Sequence, residues 1–409
     1  MKKKYVVCLA SLLLLASAVF SQTEATIAVG NTTRSYVYFM PSNYDASKPV
    51  GLFLLLHGSG GNQHNYDNTI ANYAIPDTHN TIVICPQALS ETDTEVIAIN
   101  NAIKNFGKEP FNITNIWNSG TTIATTNVVP SEYLFLLASL APNVAAAGKI
   151  ELNKATDDVL FMNTLITYFK TNYNIDGDRV FMAGHSMGGS MCYRYAFSDN
   201  RQIKAFASIY GYLGKGVDTS KRFQIPFCHF HSKTDEVVPF YGGIFNDSIP
   251  VTIQLLAQKN GQTSPIIEEI ADTKADNITV KSYDYNTPDK PRVLFFEIDG
   301  ALHANILQQN DNDVDVFNEL WRFFEGTPIE SGLNNQTDKD LTVYPNPTSD
   351  YIISSKSGAY QFVDISGKIC QQGYTEAGQS LSIGTLQKGI YILTLTTNHH
   401  ITSHKIIIQ

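Results

Sequence analysis

The chain has 409 residues, 43% hydrophobic and 16% charged, with 29 Lys and Arg against 38 Asp and Glu for a formal net charge of −9. The acidic balance argues against nucleic acid as a partner, and the length exceeds that of an ordinary single domain. The five cysteines follow no zinc-ligand spacing and demand no disulfide framework.

Lys2-Lys3-Lys4, an almost wholly apolar run over 5–20 and then Ser21-Gln22 read as a secretory signal. The run falls short of the ~20 apolar residues of a spanning helix, and Ala16, Ala18 and Ser21 suit cleavage. Cleavage is expected after Ser21, with Ala18 as second choice, leaving 26 basic against 38 acidic residues, a net charge of −12. No later apolar segment reaches spanning length, so the mature chain is expected to be exported without a transmembrane segment. The division expected is 1–21 signal peptide, 22–326 large domain, 327–340 polar linker and 341–409 small C-terminal domain.

Segment 35–40 alternates apolar and polar residues and reads as an antiparallel edge strand. The apolar runs 51–56, 81–85, 180–183, 205–210, 227–231 and 293–298 read as strands buried on both faces. Between the second and third, Val159, Met162, Ile166, Phe169 and Tyr173 recur at alternating three- and four-residue spacing, the apolar stripe of a helix. Strand–helix alternation predicts an α/β domain, a mostly parallel sheet with helices on both faces. The stretch 111–150 is less regular. Pro130-Ser131 opens a short helix over 132–140, read as an insertion packed on the core, with a lid or substrate wall as the other reading.

Gly184-His185-Ser186-Met187-Gly188 stands between an apolar strand and a helix predicted over 187–197. This pattern is a nucleophile elbow. A serine hydroxyl is a weak nucleophile at neutral pH, so it must be lifted on a sharp turn within reach of a base. Glycines at 184 and 188 let strand and helix pass closely.

A serine nucleophile calls for a histidine base and a carboxylate that fixes its tautomer, supplied by later loops at the same sheet edge. Asp235, just beyond the strand 227–231, fits the acid role, with Glu236 its neighbouring competitor. His303, in the loop after 293–298, fits the base role. His185 is expected to point elsewhere on its turn, His229 and His231 lie on a strand, and His399, His400 and His404 belong to the tail. The Met187 amide and an amide of the loop His57-Gly58-Ser59-Gly60-Gly61-Asn62, Ser59 by choice, would hold an oxyanion. That loop lacks the G-K-[ST] ending of a phosphate cradle, and His57 is expected to brace it. The chemistry calls for no cofactor and no metal.

HGSGGN at 57–62, WNSG at 117–120, RVFMAGHSMGGSMCYRYA at 179–196, HSKTDEVVPFYGG at 231–243 and DGALH ending at His303 resemble the secreted α/β-hydrolase esterases grouped with polyhydroxybutyrate depolymerases and feruloyl esterases. The resemblance covers about residues 34–325. It implies an α/β-hydrolase fold and serine ester hydrolysis, with Ser186, Asp235 and His303 matching the triad. Members often carry paired cysteines after the WN.G segment and G-H-x-W at the base, where this chain has Thr121-Thr122 and Leu302-His303-Ala304-Asn305. Trp117 would either line the substrate pocket or pack in the core. The substrates expected are feruloyl or acetyl esters on plant polysaccharide, a polyester being the alternative; a polymer-binding protein without catalysis is the reading from another class.

The tail shows short alternating strands broken by Ser366-Gly367, Gly378 and Lys388-Gly389, which predicts a small β-sandwich. LTVYPNPTSDYI at 341–352, DISGK at 364–368, LQKGIYILTL at 386–395 and the final HKIIIQ resemble the C-terminal sorting domains of the type-nine (Por) secretion system. This implies the secretion machinery as a partner and a secreted or cell-surface location. The other reading is a carbohydrate-binding or spacer module.

Overall fold

The structure is a computed structural model that describes residues 21–303, 313–326, 342–364, 369–397 and 400–409. The expected signal peptide up to residue 20 and the linker 327–340 lie outside the described residues. Backbone contacts divide the chain into two units, one comprising Met1–Ile267 and Asp272–Gly326, the other Glu268–Ala271 and Thr327–Gln409.

The first twelve strands in chain order are β1 (Ser21–Val29), β2 (Thr32–Met40), β3 (Val50–Leu56), β4 (Thr81–Pro86), β5 (Thr122–Ala124), β6 (Lys149–Glu151), β7 (Ile175–His185), β8 (Ala205–Ile209), β9 (Phe227–Ser232), β10 (Ile266–Ile270), β11 (Thr279–Tyr285) and β12 (Val293–Asp299). The helices of the larger unit are α1 (Asp67–Asn72), α2 (Ile75–Thr78), α3 (Thr94–Ile103), α4 (Leu134–Leu140), α5 (Pro142–Ala147), α6 (Asp158–Asn172), α7 (Met187–Ala196), α8 (Ile249–Lys259) and α9 (Val316–Phe324). Ten strands form one sheet in the order β1-β2-β4-β3-β7-β8-β9-β12-β11-β10. The six from β4 to β12 run parallel, and β1, β2 and β11 pair antiparallel at the flanks. This is the α/β-hydrolase fold.

Alternation along β3 shows why the central strands read as continuous apolar runs. Leu52, Leu54 and Leu56 join the core cluster with Met182 and the α6 and α7 side chains. Phe53 turns to the opposite face, its ring 5.0 Å from Trp321 of α9, and Phe181 of β7 stacks 4.6 Å from Phe324. Both sheet faces are therefore covered, and a polar residue in these strands would lose water on either side. On α6 the buried stripe is Phe161, Met162, Leu165, Ile166 and Phe169, with Val159 half-buried and Tyr173 just beyond the helix end. Asp157 caps its start by accepting from the Leu160 amide at 2.8 Å.

The strand expected at 35–40 is antiparallel, but it is not the edge. β1 lies outside it, paired through Ser21–Met40 to Val29–Thr32. The sequence 21–29 alternates polar and small apolar residues, too weak a pattern to announce a strand on its own. The insertion packs on the core: β5 pairs with β6, and Val128, Val129, Leu137, Val144 and Ile150 are buried, while Tyr133, Phe135, Leu136 and Leu140 are exposed. Cys85, Cys192 and Cys228 are buried free thiols and Cys370 is an exposed one.

In the smaller unit, β13 (Val343–Tyr344), β14 (Tyr351–Ser354) and β17 (Ser380–Ser382) form one antiparallel sheet. β15 (Gly358–Asp364), β16 (Ile369–Thr375), β18 (Gly389–Thr397) and β19 (His400–Ile408) form another. Ile352 of β14 shares a buried cluster with Tyr360, Phe362, Leu393, Leu395 and Ile406, so two sheets close over one apolar layer, as a sandwich does. No helix among the described residues is long and apolar enough to cross a membrane.

Candidate active site

Four loops leave the carboxyl ends of parallel strands and carry the candidate residues: 57–62 after β3, Ser186 after β7, Asp235 after β9 and His303 after β12. In open α/β sheets this edge is where ligands meet the fold.

Ser186 has φ 54° and ψ −124°, a backbone conformation that L-residues rarely adopt and that costs on the order of 1–3 kcal/mol. It directly precedes α7 and accepts from the Ser190 amide at 3.0 Å, while its own amide donates to the Ile209 carbonyl at 2.8 Å. The turn closes because its flanks are glycine. A Cβ on Gly184 would collide with the Gly188 carbonyl carbon, and one on Gly188 with the Leu56 carbonyl oxygen. Both neighbours are backbone and have nowhere to go.

The loop after β3 comes directly against the serine: a Cβ on Gly58 would lie 3.3 Å from Ser186 Cβ. Gly60 donates its amide to Asn115 and Gly61 to Gly58, whereas among the described residues neither the Ser59 nor the Met187 amide donates to a carbonyl. These are the two amides expected to hold an oxyanion. His57 does brace the loop. Its Nδ1 donates to the Gly58 carbonyl at 2.7 Å and its Nε2 accepts from the Ala88 amide at 3.1 Å, which fixes the tautomer. Burial pushes its pKa down to about 4, so it is neutral at ordinary pH.

Of the two readings of Trp117, lining the substrate pocket is not supported and packing in the core is. It is 0% exposed, its Nε1 donates to the His57 carbonyl at 2.7 Å, and its ring packs 5.0 Å from the imidazole. It offers no surface to a substrate and instead packs against the loop 57–62 through His57. The segment holding it is fixed by a group the sequence did not single out. Arg34 Nη2 lies 2.8 Å from Asp158 Oδ1 with both side chains buried, and Asp158 Oδ2 accepts from the Asn118 amide at 2.7 Å. Arg194 closes the set by donating to Asn118 Oδ1 at 2.6 Å.

Asp235 and His303 meet across 68 residues of chain: Nδ1 of the imidazole donates to Asp235 Oδ2 at 2.8 Å. The other carboxylate oxygen accepts from the Val237 and Val238 amides at 2.8 and 2.7 Å. Burial alone would push the Asp235 pKa up, but the His303 hydrogen bond and charge, the Val238 amide and His231 together hold it below the ordinary carboxylate range. Glu236 does not compete for the imidazole; it accepts from the His303 backbone amide at 3.1 Å and so tethers the loop.

His185 does not point away from the site as expected. Its Nε2 donates to the His303 carbonyl at 3.2 Å, and the two rings lie 5.0 Å apart. Burial lowers its pKa to about 4. His57, buried, and His185, half-buried, are thus both neutral at ordinary pH. Among the described residues Ser186 Oγ makes no hydrogen bond to His303, whose Nε2 has no protein partner. Serine–histidine bonds are often open without substrate and tighten in the complex.

Residues 142–245, which span the elbow and Asp235, match the Dienelactone hydrolase family, and residues 342–409 match the Secretion system C-terminal sorting domain. A probable feruloyl esterase C of Aspergillus clavatus is 32% identical over 105 residues, 26% of this chain and 38% of the relative. A probable feruloyl esterase C of Aspergillus niger is 24% identical over 211 residues, 52% of this chain and 58% of the relative. The chain therefore spans between about two-fifths and three-fifths of these relatives' lengths. Among solved structures, an acetyl xylan esterase from Aspergillus awamori aligns over 74% of this chain and 98% of its own, with 12% identity and a TM-score of 0.44. A CE1 ferulic acid esterase from Anaeromyces mucronatus aligns over 75% and 90%, with 14% identity and a TM-score of 0.41. The sorting domain marks the chain for secretion or attachment at the cell surface.

Proposed function

We propose that this chain is a secreted serine esterase that hydrolyses feruloyl or acetyl esters on plant polysaccharide, with Ser186 as nucleophile, His303 as base and Asp235 as the acid that orients it. The observation that carries the reading is the elbow conformation of Ser186, φ 54° and ψ −124°, at the same sheet edge as the 2.8 Å His303–Asp235 hydrogen bond.

Ser186 Oγ attacks the ester carbonyl carbon as His303 Nε2 takes its proton, and the carbonyl oxygen becomes an oxyanion held by the Ser59 and Met187 amides. The tetrahedral adduct collapses, His303 returns the proton to the leaving alcohol, and the acyl group stays on Ser186. Water, deprotonated by His303, then releases the acid and restores the hydroxyl. Asp235, ionised and held on both oxygens, fixes the imidazole with Nε2 unprotonated in the resting state. The substrate class is supported by the two Aspergillus relatives, both probable feruloyl esterases, and by the resemblance of the motifs.

Hydrolysis of a p-nitrophenyl acyl ester should be lost in Ser186→Ala, and equal activity in both proteins would reject the nucleophile. Release of ferulate or acetate from their natural polysaccharides, measured beside release of hydroxybutyrate from its polyester, tests the substrate class; preference for the polyester would replace it. The domain division belongs to the same reading: deletion of 341–409 should abolish export, and unaffected export would remove the tail's sorting role.

A further inference from the structure

Beside Asp235 lies a line of buried polar side chains that the reaction above does not use. Tyr193 Oη is 2.8 Å from His229 Nδ1, His229 Nε2 is 3.2 Å from His231 Nδ1, and His231 Nε2 is 2.9 Å from the Val238 carbonyl and 3.4 Å from Asp235 Oδ2. Tyr193 and His231 are 0% exposed and His229 1%. His229 and His231 sit two residues apart on β9, so they share one face of the strand, and their rings stack 5° from parallel.

The proton positions follow from one carbonyl. A carbonyl only accepts, so His231 Nε2 carries the hydrogen that reaches Val238. Burial holds the His231 pKa down to about 4 and that of His229 well below its ordinary value, so each ring carries one proton at neutral pH. His231 Nδ1 is then an acceptor, which makes His229 Nε2 the donor to it and leaves His229 Nδ1 to accept from the Tyr193 hydroxyl. Every hydrogen in the line points the same way, from Tyr193 toward the Val238 carbonyl, in the turn whose amides hold Asp235. The groups packed around it are the rings of Tyr210, Phe240 and Phe295 and the chain of donors itself; the nearest charge is Asp235.

We propose that His231, backed by His229 and Tyr193, is a positioning residue for the triad: its Nε2–H holds the Val238 carbonyl, and with it the turn whose amides fix Asp235, so that the carboxylate keeps His303 in its working orientation. This rests on the esterase reading of the site. The amides of Val237 and Val238 fix one carboxylate oxygen, and His303 Nδ1 donates to the other, from which His231 Nε2 lies 3.4 Å. Aligned hydrogen bonds in a dry interior polarise one another, so the effect of the line exceeds that of its last member.

The test is a double-mutant cycle on the full chain with p-nitrophenyl acetate. His231→Leu should lower kcat about ten- to hundredfold, the range that a buried group left without its hydrogen bond supports, with KM little changed. His231→Gln, whose carboxamide can accept from His229 and donate toward the Val238 carbonyl, should recover most of that loss. In an Asp235→Asn background the His231→Leu effect should largely vanish, because the residue acts through the carboxylate. The same factor in both backgrounds, or a glutamine variant as impaired as the leucine one, would overturn the proposal and leave His231 a packing residue. If the leucine variant does not fold, Tyr193→Phe, which keeps the ring and removes only the terminal donor, takes its place in the cycle. A loss of about twofold to tenfold that disappears in the Asp235→Asn background supports the line; no loss, or one of equal size in both backgrounds, overturns it. Activity retained by Ser186→Ala in the same assay would instead sink the esterase reading, whatever the cycle shows.

Discussion

Ser186 is held by backbone, whereas Asp235 and His303 are held by side-chain hydrogen bonds, and the two halves of the proposed site should therefore fail in different ways. On the serine side the turn depends on the absence of Cβ atoms: Gly184 and Gly188 leave no room for even one carbon. On the acid–base side the constraint is charge and direction, with both Asp235 oxygens occupied and the His303 backbone tied by Glu236 and His185. Steric change should break the first half, and protonation or loss of a donor should break the second.

The largest effect expected is on turnover. Ser186→Ala should lower kcat by about 10⁴ to 10⁶, read with an activated ester, because the other members of the triad then have nothing to activate. Asp235→Asn should follow at about 10⁴ with KM nearly unchanged, the mark of a lost tautomer rather than a lost binding contact. A large rise in KM with kcat preserved would contradict it.

Steric failure should appear as instability. Gly188→Ala would place a carbon against the Leu56 and His57 carbonyls, and an about 2–4 kcal/mol loss is expected in denaturant unfolding. Gly177→Ala, where a Cβ meets nothing within 4 Å, is the matched control and should stay within about 0.5 kcal/mol. Equal losses at both would deny the elbow its special geometry.

Protonation should act on the histidines that desolvation keeps neutral. His57, His185 and His231 have folded pKa values pushed down from 6.5 to about 4 by burial, so the unfolded chain binds protons that the native chain refuses. Their contribution to stability is complete above pH 6.5 and is lost as the pH falls toward about 4, by about 1.4 kcal/mol per pH unit for each. Asp235, held below its usual range, adds a further loss at still lower pH. Unfolding free energies that stay level from pH 7 to 4.5 would contradict this. The smallest effect is expected for Trp117→Phe, which removes one buried donor to the His57 carbonyl and should cost about 1–2 kcal/mol.

What the sequence reveals follows the same division. The elbow was legible because glycine at 184 and 188 is a local steric signal, and the central strands were legible because burial on both faces leaves continuous apolar runs. Partners distant in sequence left fainter marks. Nothing local announces that Arg34 meets Asp158 across 124 residues, that Trp117 turns inward to His57, or that His185 anchors the loop of His303. The pair His229 and His231 did carry a readable sign, two histidines on one face of an otherwise apolar strand, whose cost of burial asks for partners. The edge strand β1 escaped because its residues are too polar for the pattern of a buried strand.

The most direct test of the central claim is to treat the protein with a fluorophosphonate and map the adduct by mass spectrometry. A single adduct on Ser186, formed far more slowly in Asp235→Asn and His303→Ala, is the result expected of a serine activated by that pair. Labelling on a different residue, or labelling of Ser186 at the same rate in all three proteins, would contradict it.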